Sequence, residues 1–98
     1  MQVIPGCILG VSCEKGRLGN GQSWICVKDE HLPTHSLGDV LQRRTILSEN
    51  GGVLKFTNRS HALTRARRWK SEEEAFERVR AQAGMVFYYK VVKWTEPH

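Results

Sequence analysis

No stretch of this 98-residue chain approaches the roughly eighteen consecutive apolar residues that span a bilayer. That excludes a hydrophobic membrane helix as its organising element. The start, Met1 to Cys13, has no basic leader, and Pro5 and Gly6 break its short apolar run. A secretory signal, or a lipoprotein cleavage site at Cys13, is therefore not expected. Cysteine is scarce and odd in number, with only Cys7, Cys13 and Cys26. Three thiols cannot close a set of disulfides, and the expectation is a soluble cytoplasmic protein with reduced cysteines. There is no internal repeat and no low-complexity segment, so a solenoid is excluded. Hydrophobic residues at 40% and charged residues at 26% exclude a disordered chain. At this length one domain is expected over residues 1–98, with a modest core and little room for a deep enzyme cleft.

Acidic residues are scarce in one region. The net charge is +5, and it is uneven. Residues 37–70 hold eight basic side chains (Arg43, Arg44, Lys55, Arg59, Arg65, Arg67, Arg68 and Lys70) against two acidic ones, Asp39 and Glu49. The flanking thirds are close to neutral. Such a local excess points to an anionic partner. Arginines contact phosphates in nucleic-acid surfaces, with aromatics such as Trp69 and Phe56 nearby for bases. Arginine is also enriched at protein–protein hot spots. The eight residues are therefore the candidate binding set, for an acidic protein or nucleoprotein surface or for DNA or RNA directly. The bland alternative is a solvated face.

Catalytic and metal constellations are also missing. Gly16-Arg-Leu-Gly19-Asn-Gly21 has neither the dinucleotide fingerprint nor the Walker lysine, and no helix signal follows it. It reads as a loop. Cys7, Cys13, Cys26, His31 and His35 raise the question of zinc. His31 and His35 have a finger-like gap, but Pro33 lies between them, and the spacing from Cys7 to Cys13 is too wide. Buried thiols and surface imidazoles explain these residues. No spacing fixes a Cys–His pair for nucleophilic catalysis. The reading is a non-enzymatic protein with no cofactor and no metal.

The elements follow from local signals. Residues 1–22 read as an edge strand or arm followed by a glycine-rich loop, and residues 23–94 as the compact core. Ser23–Lys28 is strand-like, and Asp29–Gly38 reads as a loop. Asp39–Arg44 is ambiguous between a helical turn and a strand lead-in. Asn50-Gly51, between Ile46-Leu47 and Val53-Leu54, is a type I′ hairpin signal. Ser60 can cap a short helix through Ala66. Ser71 and Glu74 form a capping box for a second, main helix. Its apolar stripe would be Ala75, Phe76, Val79 and Ala83, and Gly84 would stop it. Trp69 would pack on its first turn. Met85–Trp94 is aromatic and β-branched, hence a strand. Together these predict an α+β domain. About four strands would form a small antiparallel sheet, with the main amphipathic helix and the short second helix packed on one face.

Four pieces of this frame, Trp24-Ile-Cys-Val27, Ala66-Arg-Arg-Trp69, Ser71-Glu-Glu-Glu-Ala75 and Val91-Val-Lys93, resemble a pattern in small phage and prophage proteins. The pattern is a strand, a hairpin, a capped helix and a Val-rich strand, and it covers about seventy residues. Residues 1–22 have no counterpart in it, and the loop after the first strand is longer here. The resemblance implies an accessory protein that works by binding a host protein or nucleoprotein complex, as an anti-CRISPR inhibitor does. It implies no catalytic residues. The exposed edge of such a sheet can also support a homodimer.

Overall fold

The computed structural model describes residues 7–8, 10–34 and 38–97. Along the chain come β1 (Cys7–Ile8), β2 (Val11–Cys13), β3 (Gln22–Thr34), β4 (Gly38–Ile46), β5 (Ser48–Glu49), β6 (Gly52–Val53), α1 (Arg59–Ala81) and β7 (Val86–Thr95). The expected α+β class is what forms. The main sheet runs β1-β2-β7-β3-β4. It is mixed rather than purely antiparallel, because β2 pairs in parallel with β7 while the other pairings are antiparallel. The arm reading over residues 1–6 lies outside the described residues.

β3 is the longest strand, paired on both sides by β7 and β4, and Trp24 to Glu30 are all buried. Its side chains alternate between two faces. Trp24, Cys26, Lys28 and Glu30 face α1. Ile25, Val27 and Asp29 face the other way, flanked across the strands by Val92, Ile46 and Arg44. The core packs Trp24, Cys26, Tyr89 and Val91 of the sheet, with Val11 and Leu47, against Ala62, Leu63, Ala66 and Trp69 of the helix. Burying an aliphatic side chain of this size contributes about 1.5–3 kcal/mol.

Residues 29–34, expected as a loop, are strand, and the ambiguous 39–44 segment is its partner. The cause is charge pairing. Asp29 lies opposite Arg44 and Glu30 opposite Arg43 in the ladder, so opposite charges meet across the strands. A register shift between Glu30 and His31 accommodates the change of twist. Asn50-Gly51 does form the hairpin turn, at φ 53° and 81°, as a type I′ turn requires. Its strands, β5 and β6, make a small separate sheet.

The two expected helices are one. α1 runs unbroken from Arg59 to Ala81, and its cap is Asn58, whose side chain accepts from the Ser60 N–H at 2.8 Å. Neither Ser60 nor Ser71 caps it, and its first turn holds no acidic residue. Ser71 is exposed in mid-helix. Glu72 pairs with Arg68, Glu74 with Arg78, and Glu73 accepts from the Trp69 indole. These carboxylates are therefore held by residues four away along the helix.

The stripe is also misplaced in the sequence reading. Phe76 is 73% exposed and Val79 68% exposed; Ala75 and Ala83 are exposed as well. Ala62, Leu63, Ala66 and Trp69 set the rotation of the helix. Extending that face at 3.6 residues per turn reaches Glu73, Glu77 and Arg80, not Phe76.

A pair of substitutions checks the cap. Asn58→Ala is expected to cost about 1 kcal/mol. Ser71→Ala should be neutral or slightly stabilising, since alanine is the better helix former in an exposed interior position. Urea unfolding of the two variants measures both. A loss at Ser71 larger than that at Asn58 would restore the two-helix reading.

Candidate functional site

The eight basic residues of the 37–70 region are spread over several faces. Arg44 grips Asp29 in a two-pronged contact, at 2.7 and 2.8 Å, on the sheet face away from α1. Arg43 reaches Glu30 at 3.5 Å on the helix side. Lys55 pairs with Glu96. Arg65 pairs with Glu49 at 3.4 Å and Arg68 with Glu72 at 3.2 Å. On a helix, successive residues turn by about 100°, so Arg67 points away from Arg65 and Arg68, which lie about 60° apart.

Arg59, Arg67 and Lys70 are different. Among the described residues, none of them has a carboxylate partner. Arg67 reaches only the Thr64 hydroxyl, at 3.4 Å. The Lys70 ammonium lies against Gly10, where an added Cβ would come within 2.8 Å of it. The Arg59 guanidinium sits 4.6 Å from the Trp24 ring centroid and donates to the Gly16 carbonyl. Gly10 and Gly16 bracket β2 along one flank of α1, so Arg59 and Lys70 share that flank, and Arg67 lies one turn from Lys70 along the helix.

Two further cations join them that the sequence reading missed. Arg17 lines a cleft of about 390 Å³ with Gly16, Leu18, Trp24, Thr57 and Arg59. Lys93 lies opposite Trp24 in the β3–β7 ladder, with its ammonium 5.9 Å from the indole ring centroid. Nothing in the spacing of residues 17, 59 and 93 signals this meeting. The ladder register and the path of the 14–21 loop create it.

A second polar group lies under the helix. Lys28 donates to Glu73 and, at 2.7 Å, to Glu77. The Tyr89 hydroxyl donates to Glu73 at 3.3 Å. Burial works against the Lys28 ammonium, but the hydrogen bonds to Glu73 and Glu77 outweigh it and raise its pKa. Burial likewise works against the Glu73 carboxylate, and hydrogen bonds from Lys28 and Trp69 outweigh it, so its pKa is lowered. Burial, with the nearby Glu73 charge, pushes the Tyr89 phenol up. Further along, hydrogen bonding from Arg80 lowers the pKa of buried Glu30. All these charges are tied to one another. The group joins helix to sheet rather than presenting a reactive atom.

A groove of about 560 Å³ borders α1 on its other reach, floored by Met85, Val86, Phe87 and Tyr89. Its rim carries both signs, with Arg78 and Glu74 3.8 Å apart. Among the cysteines, burial raises the Cys26 pKa to about 11 and also raises that of Cys13. Neither thiol is primed as a nucleophile. Cys26 instead donates to the Ala62 carbonyl at 3.3 Å. Among the described residues, no group of three or more His, Cys, Asp and Glu side chains could hold a metal ion. His35 and the Cys7 side chain lie outside the described part of the structure. No described helix is long and apolar enough to cross a membrane.

No protein-family model matches this chain, and no match was found among curated proteins or solved structures.

Proposed function

We propose that this chain is a non-enzymatic binding protein that docks through a basic surface on an anionic face of a host protein or nucleoprotein complex. It would act in the host cytoplasm as a small phage accessory protein, and inhibition in the manner of an anti-CRISPR protein is the outcome its sequence frame implies. The observation that carries the reading is the segregation of charge. Most basic residues are neutralised by carboxylates, whereas Arg17, Arg59 and Lys93 lie around the Trp24 cleft and Lys70 and Arg67 lie one turn apart further along α1, all five without a carboxylate partner among the described residues. Holding like charges together without counter-charges is unfavourable, and an anionic partner relieves it. Arginine and lysine in that setting also steer association.

Two double variants with the same loss of charge test the location. Arg67→Gln/Lys70→Gln removes two unpaired cations, and Arg43→Gln/Arg68→Gln removes two paired ones. On a heparin column the first is expected to elute at clearly lower salt than the wild type. The second should elute near it. Equal shifts for both, or a wild type that is not retained, would overturn the proposed surface. Direct binding of DNA or RNA is the second reading, favoured by the cation cluster around Trp24.

A further inference from the structure

We infer that the cleft between the 14–18 loop and the start of α1 is a phosphate-binding site, with Arg17, Arg59 and Lys93 as its cations. The inference rests on the basic-flank reading and names the chemistry of its anchoring point. The cleft has a volume of about 390 Å³, and its walls are Gly16, Arg17, Leu18, Trp24, Thr57 and Arg59. Lys93 approaches from β7. Its ammonium lies so close to Gly16 that a Cβ there would meet it at 2.9 Å. Arg59 and Lys93 both lie near the Trp24 ring, at 4.6 and 5.9 Å from its centroid. The indole face partly compensates their mutual repulsion. The Arg59 Nε is buried without a hydrogen-bond partner. The Glu14 carboxylate accepts from the Lys93 backbone N–H at 3.1 Å. Among the described residues, no carboxylate pairs with the Arg17, Arg59 or Lys93 side chain.

The number of cations selects the ligand. A carboxylate brings one charge and two oxygens, and a single arginine satisfies it in a fork. A phosphate group brings more acceptor oxygens on a tetrahedral centre, and a monoester carries close to two charges. Three converging cations match that group. Trp24 is only 3% exposed, so its ring is not free to stack on a base. The site would therefore hold phosphate without reading sequence. The phosphate could belong to a nucleic-acid backbone or to a small phosphorylated ligand.

The test uses the full chain and two probes. One is a fluorescently labelled single-stranded DNA 12-mer, followed by anisotropy across salt. The other is inorganic pyrophosphate, followed by titration calorimetry. Arg17→Gln/Lys93→Gln removes two cations and leaves Arg59 packed on Trp24. Thermal melts of each variant check that the fold survives. The expected result is at least a tenfold weaker affinity for whichever probe the wild type binds. If that probe is the 12-mer, its salt slope should also fall by about 1.4, from roughly 0.7 per lost contact on a single strand. Binding of the 12-mer assigns the site to nucleic-acid backbone, and binding of pyrophosphate alone assigns it to a small ligand. If Arg17→Gln/Lys93→Gln binds like the wild type while Arg67→Gln/Lys70→Gln is weakened, the cleft is overturned and the basic flank stands. If neither double variant weakens binding, both readings fall. A wild type that binds neither probe overturns the cleft.

Discussion

Lys28→Ala is expected to cost about 3–5 kcal/mol of stability, the usual range for removing one partner of a buried ion group. Lys28 is buried in β3, and its ammonium serves Glu73 and Glu77 at once. Without it two carboxylates on adjacent turns face each other under the helix. Glu77 Oε2 already has no hydrogen-bond partner, so that end of the group has little in reserve. A domain of this size loses about 4–8 °C in melting temperature per kcal/mol. The single variant should therefore be marginal at 37 °C. Lys28→Met/Glu73→Gln/Glu77→Gln, which removes charge from both sides, should recover a large part of the loss. Denaturant unfolding measures both. A single variant within 1 kcal/mol of the wild type would show that the group contributes little, and the helix–sheet contact would then rest on apolar packing alone.

The pH dependence follows from the same residues. Asp29, Glu30 and Glu73 all have folded pKa values below their ordinary ones. Stability from such groups is complete above the unfolded carboxylate range, near pH 4. It is lost as pH falls through their lower folded values. Lys28 has the opposite sign. Its folded pKa is raised above 10.5, so its contribution is complete below that value and fades only as pH rises through the folded one. The wild type should thus hold a plateau across neutral pH and unfold in acid. Lys28→Met/Glu73→Gln/Glu77→Gln should show a shallower acid limb.

Trp69→Ala is the second large effect, expected at about 3–5 kcal/mol for a buried aromatic truncated to alanine. Trp69 occupies the hinge between the apolar and ionic halves of the helix contact. Its ring meets Tyr89 edge-on at 5.3 Å, the Lys28 ammonium lies 5.7 Å from its centroid, and its indole N–H donates to Glu73 at 2.6 Å. The edge-on pair contributes about 0.5–1.5 kcal/mol beyond the area it buries. Trp69→Phe keeps most of the ring and loses a donor to an ionised carboxylate, so it should cost about 1.5–3 kcal/mol. If Trp69→Phe were as damaging as Trp69→Ala, the hydrogen bond to Glu73 would outweigh the packing, contrary to this ranking.

Some of the molecule was legible along the chain because the signals were local. Asn50-Gly51 can adopt two positive φ values in succession, and it does. Met85–Trp94 has the β-branched and aromatic content of a strand, and β7 follows within a residue. Other features needed partners far away. Asp29 and Glu30 look like loop residues until Arg44, Arg43 and Arg80 neutralise them. Ser71-Glu-Glu-Glu74 has the composition of a helix start. Trp69 must bury, however, and the chain behind it already runs as helix from Asn58, so those glutamates fall in mid-helix. Phe76 and Val79 repeat at helical spacing, but spacing alone cannot say which side of a helix meets the sheet.

The same division holds for the candidate site. The excess of positive charge in the middle third is a property of the sequence, and it pointed to Arg59, Arg67 and Lys70 without separating them from the other five. Which cations are neutralised is a matter of distance, and distance is set by strand register and helix rotation. The sequence by itself determined the α+β class, the Asn-Gly turn, the last strand and the excess of positive charge in the middle third, because each depends on residues close in the chain or on composition. Only the tertiary structure decided that α1 is continuous, that its inner face turns ionic after Trp69, and that Arg17, Arg59 and Lys93 meet at Trp24. Each of those depends on charges and side chains brought together from segments tens of residues apart.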